Sequence, residues 1–205
     1  MRHTADVMPL STNTTERDRT HGPLSAVELR AAALDGELFP LGGSFLPLDL
    51  PLDAHARLSA LSPPRHDARL VLAGRCAAWV WGWSARPCPH LCCCVSSRHR
   101  VPSTLRRALQ VREVVIDDDE YVELGNVRVT TPLRTLIDLA RHDDMPDIDP
   151  LLTSAFRSHS PRAELNGNAV TEALDRRPSA SHLRRARSRL ECARAAAENQ
   201  PLLTR

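Results

Sequence analysis

The chain has 205 residues, enough for one well-buried domain with a small appendage but not for two ordinary domains. With 42% hydrophobic and 25% charged residues it falls among globular proteins and away from chains too polar to collapse. Its formal charge of +2 at pH 7 excludes a uniformly basic or acidic surface, and it has neither a run of about 18 apolar residues for a membrane span nor the apolar stretch of a signal peptide. A cytoplasmic protein without membrane contact is expected, with its six cysteines in a reducing compartment.

Residues 1–23 are polar, with Ser11, Thr12, Asn13, Thr14 and Thr15 in a row, and read as a disordered leader. Residues 24–52 read as one helix plus a hairpin. Ser25 and Glu28 have the spacing of a capping box, which predicts a helix to about Leu34 that buries Val27, Leu29 and Leu34. Leu38–Leu41 and Phe45–Leu48 then flank Gly42 and Gly43, and Pro40 and Pro47 confine both short strands to an edge.

Residues 53–145 read as an α+β core. It opens with a helix over Asp53–Leu61, closed by Pro63 and Pro64, followed by a strand over Leu70–Leu72 and a short helix over Cys76–Trp83. Strands follow over Leu91–Val95 and Leu109–Ile116, the latter rich in β-branched residues. Tyr121–Leu124 and Val127–Thr130 flank Gly125 and Asn126, a hairpin turn that wants positive φ. Thr131 then stands at an N-cap with Pro132 at the first helical position, and Leu133, Leu136, Ile137 and Ala140 form one apolar stripe.

Residues 146–205 read as helical: Ile148–Ser158, Ala163–Leu174, and Ser181–Glu198 after Pro178. The last carries a narrow seam of Leu183, Ala186, Leu190, Ala193 and Ala197 among arginines. The expected fold is therefore α+β, with a small mixed or antiparallel sheet, packed helices and a helical C-terminal third.

Charge is arranged in blocks, and all 27 basic residues are arginine. No acid occurs between Ala68 and Arg112, Glu113 to Asp149 is strongly acidic, and Arg176 to Arg205 is basic again. Such blocks suit a polyanion or an acidic protein partner. Arg98, Arg100, Arg106, Arg107 and Arg112, with Arg184, Arg185 and Arg187 of the last helix, are the candidate nucleic-acid or partner contacts. The tryptophans at 79, 81 and 83 precede the first group, at a spacing more common in a core.

Other constellations carry partial signals of chemistry. Cys88, His90 and Cys92, with Cys93, Cys94 and Cys76 nearby, offer soft ligands for zinc. On a strand, however, Cys88, His90 and Cys92 would rise in a line along one face instead of converging, so buried thiols acting as small hydrophobes are expected, with no metal and no cofactor. Asp117, Asp118, Asp119 and Glu120 lack the glycine-turned loop of a calcium site and read as a solvated hairpin end. Gly43 and Ser44 resemble the start of a nucleotidyltransferase motif but have no Asp-x-Asp beside them, and Asp147 and Asp149 lie in the wrong context. No nucleophile and base, and no small-molecule substrate site, can be assembled from the motifs, so no enzyme is expected.

The run Val127-Arg128-Val129-Thr130-Thr131-Pro132-Leu133-Arg134-Thr135-Leu136-Ile137-Asp138-Leu139-Ala140, preceded by Ala77-Ala78-Trp79-Val80-Trp81-Gly82, resembles the AbiEi-type antitoxins of type IV toxin–antitoxin systems, in particular compact actinobacterial members. The likeness covers about Leu24 to Arg141. It marks Thr131, Pro132, Arg134, Asp138, Trp79 and Trp81 as family-motif residues. Arg134 and Asp138 can pair along one helical face, as an exposed structural ion pair that orients the helix or, alternatively, as a partner-facing pair. The resemblance implies a winged helix-turn-helix that binds the operon's own promoter DNA, of which only the last helix and wing could be present here. It also implies an α+β part that counters a nucleotidyltransferase-type toxin. The expected function is thus that of a non-catalytic antitoxin or transcriptional regulator. The alternative is a degenerate or repurposed relative serving as an interaction scaffold, without toxin partner or DNA binding.

Overall fold

The computed structural model describes residues 8–9, 24–42, 44–61, 69–96, 102, 106, 109–158, 165–176 and 182–199. Arg98, Arg100 and Arg107, Pro63, Pro64, Pro178 and nearly all of the expected leader lie outside them. The fold is mixed α+β and divides into two compact units, residues 1–64 and 65–205.

In the first unit, β1 (Met8–Pro9) pairs with β3 (Ser44–Pro47), which pairs in turn with β2 (Leu38–Leu41), all antiparallel. The pairing of Met8 and Pro9 departs from the expectation of a structureless leader. The two helices are α1 (Ala26–Leu34) and α2 (Ala54–Ala60), and α2 packs on β1 and β3 although the sequence grouped it with the segment that follows. The capping box of Ser25 and Glu28 forms as read, and Asp53, read as the first residue of its helix, is its N-cap and accepts the Ala56 N–H at 2.9 Å. The burial expected of α1 does not follow. Leu29 is buried, but Val27 is 73% and Leu34 88% exposed. A cap fixes where a helix starts, whereas burial needs a neighbour on the right face, and this helix lies against little more than a hairpin.

The second unit holds a five-stranded mixed sheet in the order β6-β5-β4-β8-β7. Its strands are β4 (Leu70–Leu72), β5 (Cys92–Ser96), β6 (Gln110–Val114), β7 (Tyr121–Leu124) and β8 (Val127–Thr130). β4 runs parallel to β8 and antiparallel to β5, while β5 and β6 are parallel and β7–β8 is the antiparallel hairpin. The central strand β4 is buried throughout, whereas the edges β6 and β7 keep exposed residues along their length, as position in a sheet dictates. Gly125 takes φ +61° at the hairpin turn. Gly74, at φ +56°, lets the chain pass from β4 directly into α3 (Gly74–Val80), a conformation that a side chain would strain.

Among the described residues the unit has four longer helices besides α3: α4 (Pro132–His142), α5 (Ile148–Arg157), α6 (Gly167–Asp175) and α7 (Leu183–Asn199). They share one core with α3, in which Trp83, Leu136, Leu152, Leu174 and Leu190 are buried. The C-terminal helices are thus part of the same hydrophobic body as the sheet-flanking helix α4. The seam of α7 packs inward through Ala186, Leu190 and Ala193, with Leu183 partly buried. Among the described residues no helix is long and apolar enough to cross a membrane.

Candidate functional site

The two sequence blocks around Trp79 and Thr131 fold against each other. Trp79 is buried in α3, and Trp81, at its C-cap, donates its indole N–H to the Thr130 carbonyl at 3.0 Å, at the end of β8. The neighbouring Thr130 and Thr135 hydroxyls lie 2.7 Å apart and are fully buried, with Thr135 donating to the Thr130 carbonyl. Thr131 then caps α4 by accepting the Arg134 N–H at 3.2 Å, and its own N–H donates to the Glu120 carbonyl at 2.9 Å. Strand end, cap and helix start therefore form one closed hydrogen-bond system with few groups left to serve a ligand.

Arg134 and Asp138 form the ion pair expected along the helix, but the pair is buried and not exposed. Only 5% of the Arg134 side chain meets solvent. Its Nε donates to Asp138 at 2.8 Å, and one terminal nitrogen donates to Glu120 at 2.6 Å and to the Val115 carbonyl at 3.1 Å. Burial presses its pKa down, but Asp138 and Glu120 more than offset that and leave it raised. Glu120 also revises the reading of the acidic run. Residues 118–120 form a 3-10 turn capped through Asp117 and Glu120, and the Glu120 carboxylate is held beneath the helix by Arg134 instead of being solvated. A cavity of about 300 Å³ borders this network, with Glu120, Thr131, Arg134, Asp138 and Arg176 among its walls.

The basic and acidic blocks meet within the chain. Arg75 grips Asp143 and Asp147 with both edges of its guanidinium, at 2.6 to 3.1 Å. This bidentate clamp joins α3 to the loop before α5. Arg106 pairs with Glu113, Arg185 with Asp144, and Arg187 with Asp175. Three of the predicted contact residues thus carry internal partners, while Arg112 and Arg184 are exposed. Alternating charge along the chain here reflects segments that neutralise one another, which a count along the sequence cannot distinguish from a surface prepared for a polyanion.

The cysteines divide into two sets. Cys93 and Cys94 are buried in β5, where burial raises both thiols to about 12, in keeping with small hydrophobes. Cys88 departs from the expectation that it would stand in line with Cys92. It precedes the strand, and across the bend at Pro89 and His90 its sulfur lies 3.7 Å from that of Cys92. Cys76, from α3, accepts the Cys92 N–H at 3.2 Å. Hydrogen bonds from Cys76 and Cys92 draw the Cys88 pKa far down, aided by the charge of Arg75, while Cys76, which donates to it, is pushed up. The imidazole of His90 is exposed, and its carbonyl faces the sulfurs of Cys76 and Cys92 at 3.3 and 3.5 Å. Cys88 and Cys92 border a cleft whose walls also include Arg106, Gln110 and Arg112, with Cys76 buried behind them.

Of the remaining expectations, Ser44 is buried in β3, and Asp147 is a partner of Arg75. Sequence reasoning missed Glu120 as the partner of Arg134, the Thr130–Thr135 pair and the Arg75 clamp. The available signals were an arginine beside the apolar stripe of α4 and an acidic turn one short hairpin upstream.

No protein family and no curated protein matches the sequence. In fold the chain is similar to the crystal structure of the Rv2827c protein from Mycobacterium tuberculosis, with a TM-score of 0.50 and 19% identity over 86% of this chain and 69% of that one. At that identity the similarity is one of fold.

Proposed function

We propose that the protein is a non-catalytic AbiEi-like antitoxin and regulator that acts in the cytoplasm, counters a nucleotidyltransferase-type toxin by direct contact and binds its own promoter DNA. The reading rests on the resemblance of two sequence blocks, and the observation that carries it is that they form one structural unit, joined by the Trp81 indole and the Thr130 carbonyl. A motif of this kind preserves a scaffold. Thr131, Arg134 and Asp138 are occupied in holding it, so toxin contact falls to the surface around them. For DNA, Arg112 and Arg184 are exposed cations among the described predicted contacts, as is Arg106 beside Glu113, and Arg30 is exposed on α1.

The test is co-expression with the product of the adjacent reading frame. A nucleotidyltransferase-like toxin whose growth arrest this chain relieves, and which co-purifies with it, is expected. Absence of such a neighbour, or no relief of arrest, would overturn the antitoxin reading in favour of an orphan scaffold. DNA binding is tested by gel shift on the upstream region over a salt series. Arg112→Ala and Arg184→Ala should weaken it uniformly across sequences, and a shift insensitive to salt or to both changes contradicts it.

A further inference from the structure

Three thiols from two segments converge on one point. Cys76 is carried by α3, placed there by the turn at Gly74; Cys92 opens β5; and Cys88 folds back onto both. The Cys88 and Cys92 sulfurs are 3.7 Å apart, and all three sulfurs lie within 4.8 Å of one another. Thiolates bound to zinc at about 2.3 Å in tetrahedral geometry stand about 3.8 Å apart, so the cluster needs only a small contraction to enclose an ion. This is the convergence of a turn and a second segment that a line of residues along one strand could not supply.

The surroundings fit the same chemistry. The Cys92 N–H donates to the Cys76 sulfur at 3.2 Å, a bond that fixes the direction of that sulfur. Cys76 is fully buried while Cys88 and Cys92 are half-buried at the cleft, so an ion has a rigid floor and an entry path. The carboxamide oxygen of Gln110 lies 3.4 Å from the Cys92 sulfur, an oxygen donor close at hand.

We propose that Cys76, Cys88 and Cys92 form a binding site for a thiophilic cation of the zinc class, with the fourth coordination position opening on the cleft to water or to the Gln110 carboxamide. Binding releases to solvent whatever thiol protons remain and leaves the sulfur oxidation state unchanged. The ion ties α3 to the start of β5 and stabilises the intervening segment 81–91. The site is independent of the antitoxin reading and stands or falls without it.

The test uses the full chain, reduced and freed of metal by a chelator, titrated first with Co²⁺ and then with Zn²⁺. Thiolate-to-cobalt charge-transfer absorption should saturate at one equivalent and be bleached by one equivalent of zinc. Cys88→Ser and Cys92→Ser should each weaken binding by more than about 100-fold, beyond the loss expected for an outer-shell partner, and Cys192→Ser should leave it unchanged. Because Cys76 is fully buried, Cys88 and Cys92 carry the test, with thermal unfolding as a second readout. Zinc should raise the Tm of the wild type and not that of Cys88→Ser. Absence of the band at stoichiometric cobalt, a band that survives both substitutions, or an equal zinc-induced Tm shift in Cys88→Ser would overturn the site.

Discussion

The helices α1 and α4 start alike and end differently. Each begins at a side chain that caps the first turn, Ser25 with Glu28 in one and Thr131 ahead of Pro132 in the other. Yet α1 buries only Leu29, while α4 buries seven of its residues, including an arginine. Local chemistry decides where a helix begins; what surrounds it decides what it is worth. In α4 the surroundings include a sheet, two buried threonines and carboxylates on both sides of Arg134, so its polar residues belong to the fold as much as its leucines do.

The sharpest way to break this contrast is to remove the buried cation. Arg134→Ala leaves Glu120 and Asp138 without their partner and should cost about 3 to 5 kcal/mol in urea unfolding, the range for breaking a buried ion pair. All three tryptophans lie at positions 79, 81 and 83, so their fluorescence reports on the second unit alone. Leu136→Ala should cost about 2 to 5 kcal/mol by the same measurement, since Leu136 is fully buried. Leu34→Ala in α1 should fall within about 0.5 kcal/mol, read by hydrogen exchange of the α1 amides. A comparable loss at both leucines would erase the distinction.

Acid should weaken the α4 side selectively. The pKa of His142 is lowered from 6.5 to about 4, chiefly by burial and then by Arg112 and Arg141. The unfolded imidazole takes its proton near pH 6.5 and the folded one only near pH 4, so this contribution is full above pH 6.5 and is lost as pH falls toward 4. His142→Gln should flatten the fall of the urea midpoint across that window, and an unchanged slope would remove His142 from the account. The smallest effect is expected at the cap of α1. Ser25→Ala should cost about 1 kcal/mol and raise exchange only in the first turn of that helix.

Much of this was legible in the sequence where the signal is local. Gly125 and Asn126 between β-branched runs marked the hairpin, and Thr131-Pro132 marked the start of α4, because turn and cap chemistry acts over three or four residues. All five strands of the larger sheet were visible as short apolar or β-branched segments. What could not be read depends on contacts across the chain. Glu120 reaches Arg134 from fourteen positions upstream through a hairpin, and Arg75 finds Asp143 and Asp147 some seventy positions away. Cys88 was misplaced for a local reason of another kind: the chain bends at Pro89 and His90 just ahead of β5, and the spacing of the cysteines alone does not show it. The same ambiguity hid the meaning of the charge blocks, since pairing between segments and readiness for a partner look alike until the segments are folded.

The central claim is that the motif arginine acts inward, as part of the scaffold. A double-mutant cycle of Arg134→Ala and Glu120→Ala, followed by urea unfolding through tryptophan fluorescence, tests it most directly. The account predicts a coupling energy above about 1 kcal/mol, as for residues in one buried network; additivity within about 0.3 to 0.5 kcal/mol, as for independent surface sites, would contradict it.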